Sequence, residues 1–216
     1  MYAYAVNNPL TNIDPDGNEV ISILYPNYMA GSSGNHNIPT PTGHGGVVLV
    51  ERDGTTHYFE YGRYVPGGAV TREAGQENVP TPSVQRDSSG NITQDSMNNL
   101  LSTLSNAAGK KGTTDAIVIP TTTAEDENIL AYLKAREAEG TNGQKYSPFG
   151  NHNCGTLSCE AMGHAKMPVP QLFVTPVINF THLWQMYPNA QGWEYQPTEH
   201  VTSRIIYDPP PYPNPL

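Results

Sequence analysis

The strongest pattern along the chain is a short apolar run followed by a hairpin. Val20-Ile21-Ser22-Ile23-Leu24-Tyr25 predicts a buried strand. Val47 to Glu51 and Thr56 to Tyr61 flank the turn dipeptide Asp53-Gly54 and predict two antiparallel strands. Met97, Leu100, Leu101, Leu104 and Ala108 recur at helical spacing, with Asp95 or Ser96 as N-cap. Ala116 to Ile119 predicts a short strand ending at Pro120. Thr123 then caps a second helix to about Glu139, with Ile129, Tyr132 and Leu133 on its buried stripe and Gly140 as its stop. A third helix starts at Cys154 and ends near Gly163-His164. Residues 26 to 43 and 65 to 93 read as loops, and 168 to 187 as irregular chain with one short helix around His182 to Met186.

These elements predict an α+β fold: a short antiparallel sheet packed against the Cys154 helix and one or two others. The chain has 216 residues, enough for one sizeable domain or a domain with a small appendage. Twenty Gly, twenty Pro and thirteen Tyr point to a loop-rich chain of short elements rather than a helical bundle. A net charge of −9 argues against nucleic acid as a partner, because no basic stripe exists to neutralise phosphates. The pair Lys110-Lys111 reads as a solvated loop. No apolar run reaches the length of a membrane span, and the N-terminus lacks the charged, apolar and small-residue pattern of a signal peptide.

Candidate chemistry centres on Asn151-His152-Asn153-Cys154-Gly155-Thr156-Leu157. A thiol at the mouth of a helix meets free N–H groups and the positive end of the dipole, and both favour the nucleophilic thiolate. Upstream, Gly43-His44-Gly45-Gly46-Val47 puts a histidine at the start of an apolar strand. Cysteine plus a distant histidine is the minimum equipment of a cysteine hydrolase. The alternative for a lone cysteine is a small buried apolar residue. In the catalytic reading Cys154 is the nucleophile and His44 the general base. The Cys154 amide supplies half of an oxyanion hole, and the side chain of Asn153 or Asn151 the other half.

The base needs an orienting acceptor. A two-residue turn at Asp53-Gly54 sets His44 opposite Arg63. Glu60 then lies roughly 10 Å and His57 roughly 20 Å along the strand. The same register puts His57 on the face of His44 and Glu60 on the other, and a three-residue loop or a bulge reverses this. Distance favours Glu60, parity favours His57, and Glu60 is preferred because a bulge cannot mend distance. Zinc is not expected, because His152, Cys154, Cys159 and His164 lack the spacing of a finger or ribbon. Cys154 and Cys159 point to different faces of one helix and do not form a disulfide. Cys159 reads as core. His36, His164, His182 and His200 read as structural or surface residues, and no cofactor is called for.

Residues 1 to 18, with Asn7-Asn8-Pro9-Leu10 and Asp14-Pro15-Asp16-Gly17, resemble the end of an Rhs/YD-repeat core. That resemblance implies a junction at 1–18, a toxin domain at 19–208 released by self-cleavage beside Asp-Pro-x-Gly, and a Pro-rich tail at 209–216. A histidine strand followed by a cysteine helix resembles the circularly permuted papain-like families, the permuted NlpC-type hydrolases and the lecithin–retinol acyltransferase-like enzymes. Their GH-x-x-hydrophobic and NC-x-[TS]-hydrophobic motifs match Gly43 to Val47 and Asn153 to Leu157. The acyltransferases carry a second histidine about as far along as His57. The resemblance implies a circularly permuted papain-like fold and a cysteine-dependent toxin that reaches target cells by type VI secretion. It also implies a cognate immunity protein and the repeat shell as partners. Apolar residues Leu172-Phe173-Val174 and Val177-Ile178-Phe180 incline the substrate towards a phospholipid acyl ester. A peptidoglycan amide, a target-protein peptide or a glutamine side-chain amide is the alternative, and a non-enzymatic cap of the repeat shell is the rival from another class.

Overall fold

The computed structural model describes residues 18–28, 43–66, 68–73, 81–143, 145–147, 152–170 and 175–205. The repeat-like segment before Asn18, the tail, His36, Asn151 and Leu172-Phe173-Val174 lie outside them. Among the described residues, β1 (Asn18–Tyr25), β2 (His44–Val50), β3 (Thr56–Val65), β4 (Gly68–Glu73), β5 (Thr114–Thr121), β6 (Gln191–Gln196) and β7 (Val201–Ile205) form one antiparallel sheet. Its order is β4-β3-β2-β1-β5-β6-β7. The helices are α1 (Gln94–Ala107), α2 (Thr123–Ala138), α3 (Leu157–His164) and α4 (Pro176–Met186).

Strand alternation sorts the apolar residues into two cores. Val20, Leu24, Val47, Leu49, Phe59 and Ile117 face α2, α3 and α4 through Ile129, Leu133, Leu157, Met162, Phe180 and Leu183. Ile21, Ile23, Val48, Tyr58 and Val118 face α1 through Met97, Leu100, Leu101 and Leu104. All of β1 is buried, which is why Val20 to Tyr25 is apolar on both faces apart from Ser22, whose hydroxyl meets that of Ser158 at 3.2 Å. Each fully buried Leu or Ile contributes roughly 1.5–3 kcal/mol.

The sheet is larger than the sequence pattern predicts. β4 falls within the stretch that reads as loop, and β6 and β7 follow α4, where the pattern shows no strand. These are outer strands with mixed burial, so their apolar signal is weak. The short helix expected from His182 starts at Pro176, with proline in its first turn and Thr175 as cap. The cap of α1 is Thr93 rather than Asp95 or Ser96. That of α2 is Thr122 rather than Thr123, in a capping box with Glu125.

The hairpin between β2 and β3 sets the site. Glu51 and Thr55 close a three-residue loop, with Glu51 N–H donating to Thr55 O at 2.8 Å and Gly54 N–H to Glu51 O at 2.8 Å. Gly54 takes φ +87, and its carbonyl accepts from Val84 N–H at 2.9 Å. A Cβ there would lie 2.1 Å from the Val84 carbonyl oxygen, so glycine is required both by the loop type and by the strand of chain beside it. The resulting register pairs Gly46 with Glu60 and Leu49 with His57.

Candidate active site

Three segments converge at the start of β2. His44 is its first residue. Glu60 lies on β3 opposite Gly46, and so falls on the same face as His44, two residues along. The three-residue loop produces this parity; a two-residue turn would have put His57 on that face instead. His57 occupies the opposite face, where its two ring nitrogens meet Glu51 at 2.9 Å and Glu73 at 2.7 Å.

Cys154 does not open a helix. It lies in a turn that leads into α3, which starts at Leu157. Within that turn the Asn153 side-chain oxygen accepts the Gly155 N–H at 2.8 Å. The loop is seated between β2 and α4. A Cβ on Gly45 would lie 3.1 Å from the Cys154 carbonyl oxygen, and one on Gly155 only 2.3 Å from Pro176 Cα. Glycine at both positions lets backbone meet backbone and carries the sulfur to the histidine.

His44 Nε2 is 2.9 Å from Glu60 Oε2 and 3.1 Å from the Tyr64 hydroxyl. The imidazole also meets the Cys154 thiol, and each shifts the ionisation of the other. The ring stacks on Tyr25 at 5.7 Å and leans on Tyr28 at 4.8 Å. Tyr146 donates its hydroxyl to Cys154 Sγ at 3.6 Å, and the Gly45 N–H also reaches the sulfur. Glu60 accepts from Tyr58 at 3.2 Å and from both Nε and Nη2 of Arg72, at 2.9 and 2.6 Å.

Cys154, His44 and Glu60 are 5, 6 and 1 % exposed. Charges so deeply buried must be paired. Burial raises the Cys154 pKa, but the charge of His44 and hydrogen bonds from His44, Tyr146 and the Gly45 amide outweigh it and bring it below the usual thiol value. Burial disfavours the His44 cation, yet the Cys154 thiolate and Glu60 raise its pKa to about 9. Burial likewise opposes the Glu60 charge, and His44 and Arg72 lower its pKa to about 2. The three shifts act in one direction: each favours the charged form of its group, thiolate, imidazolium and carboxylate.

Cys159, inside α3, is the counter-example. It is 1 % exposed, and burial pushes its thiol up to about 12. Among the described residues, no group of three or more His, Cys, Asp or Glu could hold a metal. His152 pairs with Glu160 at 3.2 Å, and His164 stacks on Tyr132 at 4.0 Å. Sequence reasoning missed Tyr146, Tyr64 and Arg72 as partners of the site; a tyrosine count high for a chain of this length is a trace of the two tyrosines, and Arg72 has none.

An α+β domain, seven-stranded among the described residues, with a buried cysteine–histidine–glutamate array at one end of its sheet is the class of protein these features define. The chain belongs to the TseH-like family of type VI secretion system effectors, whose family model matches residues 16–167. The fold matches the crystal structure of the type VI secretion system effector TseH with a TM-score of 0.69 at 21 % identity, covering 87 % of this chain and 97 % of that one. A search of curated proteins found no match. Family membership makes the chain an effector delivered into target cells. No helix among the described residues is long and apolar enough to cross a membrane.

Proposed function

We propose that this effector is a cysteine hydrolase with Cys154 as nucleophile, His44 as acid and base, and Glu60 as the orienting acceptor. One observation carries the reading: a buried imidazole bridges a thiol and an ionised carboxylate. The thiolate attacks the acyl carbon and forms a C–S bond. The Cys154 amide and the Tyr146 hydroxyl stabilise the oxyanion, with Asn153 shaping the loop that presents them. His44 gives its proton to the leaving amine or alcohol as the acyl bond breaks. Water, deprotonated by His44, then splits the thioester and returns the thiol.

A non-enzymatic cap has no use for this arrangement. The domain keeps Cys159 as an inert core thiol, while three hydrogen-bond donors converge on Cys154. The order of histidine strand before cysteine turn supports the circularly permuted papain-like reading. The family match begins at residue 16, where the repeat-like segment ends, which supports a toxin cassette behind an Rhs junction with an immunity protein as partner.

For the substrate, part of the apolar stretch that suggested a lipid chain is structural. Phe180 is in the core against Trp184, and Val177 lies over Gly43, leaving Ile178 exposed. The function proposed is therefore acyl-bond hydrolysis. Purified protein is offered phospholipid vesicles, muropeptides and a protein substrate, each against Cys154→Ala. Cys154-dependent release of fatty acid assigns an ester, cleavage of muropeptide or protein assigns an amide, and turnover that survives Cys154→Ala overturns the mechanism.

A further inference from the structure

The geometry points to Arg72 as a positioning residue that holds Glu60 ionised and turned towards His44, an inference that rests on the hydrolase reading above. Glu60 divides its two oxygens. Oε1 takes the Arg72 fork, with Nε at 2.9 Å and Nη2 at 2.6 Å. Oε2 takes His44 Nε2 at 2.9 Å and the Tyr58 hydroxyl at 3.2 Å. A two-point fork fixes the plane of a carboxylate as a single ammonium cannot. The guanidinium is itself held, because it lies 3.6 Å over the ring of Tyr64. The Tyr64 hydroxyl in turn reaches His44 Nε2 at 3.1 Å. Arg72, Glu60, His44 and Tyr64 thus close a ring of contacts, and rotation of any member breaks two of them.

The charges around Glu60 explain why the fork is needed. Tyr58 and Tyr25 come from the α1 side of the sheet, Tyr64 from further along β3, and Tyr28 from beyond β1. Burial pushes all four phenols above their ordinary range, so they are neutral. Cys154, when ionised, adds a second anion that acts on His44. Arg72 is then the fixed cation that offsets a carboxylate 1 % exposed, while His44 is free to lose its proton in each turnover. Without Arg72, burial favours the neutral acid, which no longer supports the imidazolium. The proton then moves from the His44 cation to the thiolate, and the resting pair becomes neutral thiol and imidazole.

Alkylation of Cys154 by iodoacetamide, resolved from Cys159 by peptide mass spectrometry, reads the thiolate without a substrate. The readout is the ratio of rates at about pH 6 and about pH 9.5, on either side of an ordinary thiol. Arg72→Met lowers that ratio roughly tenfold, the effect of about one pKa unit. Arg72→Lys recovers part of it, because charge returns without the fork. Glu60→Gln lowers it similarly, and Arg72→Met/Glu60→Gln is no lower than Glu60→Gln alone. The double variant leaves no unpaired buried charge, so it supplies this comparison even where Arg72→Met does not fold. A wild type reactive at acidic pH with an unchanged ratio in Arg72→Met, or a double variant below Glu60→Gln, overturns the role of Arg72 and leaves the hydrolase standing. A wild-type Cys154 with the profile of an ordinary thiol overturns both.

Discussion

The Tyr146 hydroxyl points at the Cys154 sulfur from 3.6 Å, eight positions upstream in the chain. The two residues are brought together by the loop between them, which Ser147 N–H closes onto His152 O at 2.8 Å. In the proposed mechanism a phenol there donates to the sulfur at rest and to the oxyanion during acyl transfer. Tyr146→Phe keeps the ring and is expected to lower kcat by about 10²–10³-fold, the effect of losing one oxyanion donor. Steady-state kinetics on the substrate found by the vesicle, muropeptide and protein comparison checks this.

Cys154→Ala and His44→Ala are each expected to abolish toxicity with the fold retained. Growth of cells expressing each variant, with circular dichroism as control, is the measurement. Cys159→Ala keeps toxicity, because that thiol only fills space beside α3; removing its sulfur from a site 1 % exposed costs about 1 kcal/mol of stability.

Glu60→Gln is expected to lose more activity than His57→Ala. Glu60 touches His44 directly, whereas His57 serves the other face of the sheet, where it ties Glu51 to Glu73. Loss of an orienting acceptor lowers turnover by up to about 10⁴-fold. Equal losses in variants of equal stability would place the orienting role elsewhere.

The rate should follow a bell in pH. Cys154 ionises below the usual thiol value, so the acidic limb lies on the acid side of an ordinary cysteine. His44 keeps its proton up to about 9, and above that it cannot protonate the leaving group, so the basic limb falls there. Glu60 also links the pair to stability. Its folded pKa of about 2 is below the ordinary carboxylate value of 4.5, so its contribution is complete above 4.5 and lost as pH falls towards 2. The destabilisation caused by Glu60→Gln should therefore shrink in acid denaturation experiments.

Asp115 predicts the opposite sign. It lies directly across from Glu194 in the β5–β6 pair, its Oδ1 has no hydrogen-bond partner among the described residues, and burial raises its pKa to about 7. An acid with a raised folded pKa favours the fold while protonated and opposes it as pH rises through that value. Asp115→Asn should therefore raise the melting temperature at pH 8 by roughly 3 °C per kcal/mol regained, and by less at pH 4. Thermal melts at the two pH values decide.

Much of the fold is legible in the chain. The apolar residues of Val20 to Tyr25 in β1, the spacing of Leu100, Leu101 and Leu104, and the stripe of Ile129 and Leu133 are local patterns that foretell burial. The outer strands β4, β6 and β7 are not legible, because half-buried strands take their conformation from the neighbours they pair with. The candidate nucleophile and base stand out as a cysteine and a histidine in polar, glycine-bearing motifs. Their partners do not. Glu60 and His57 are separated only by the number of residues in one turn, and the seat of Gly54 against Val84 fixed that number at three. Tyr146, Tyr64 and Arg72 come from a loop, a strand end and an outer strand, and nothing in their local sequence marks them. Composition and periodicity determined the layers of this protein and which residue types could react. Tertiary structure decided which carboxylate meets the imidazole and which donors meet the sulfur, because those contacts depend on register and chain packing, to which a one-dimensional pattern is blind.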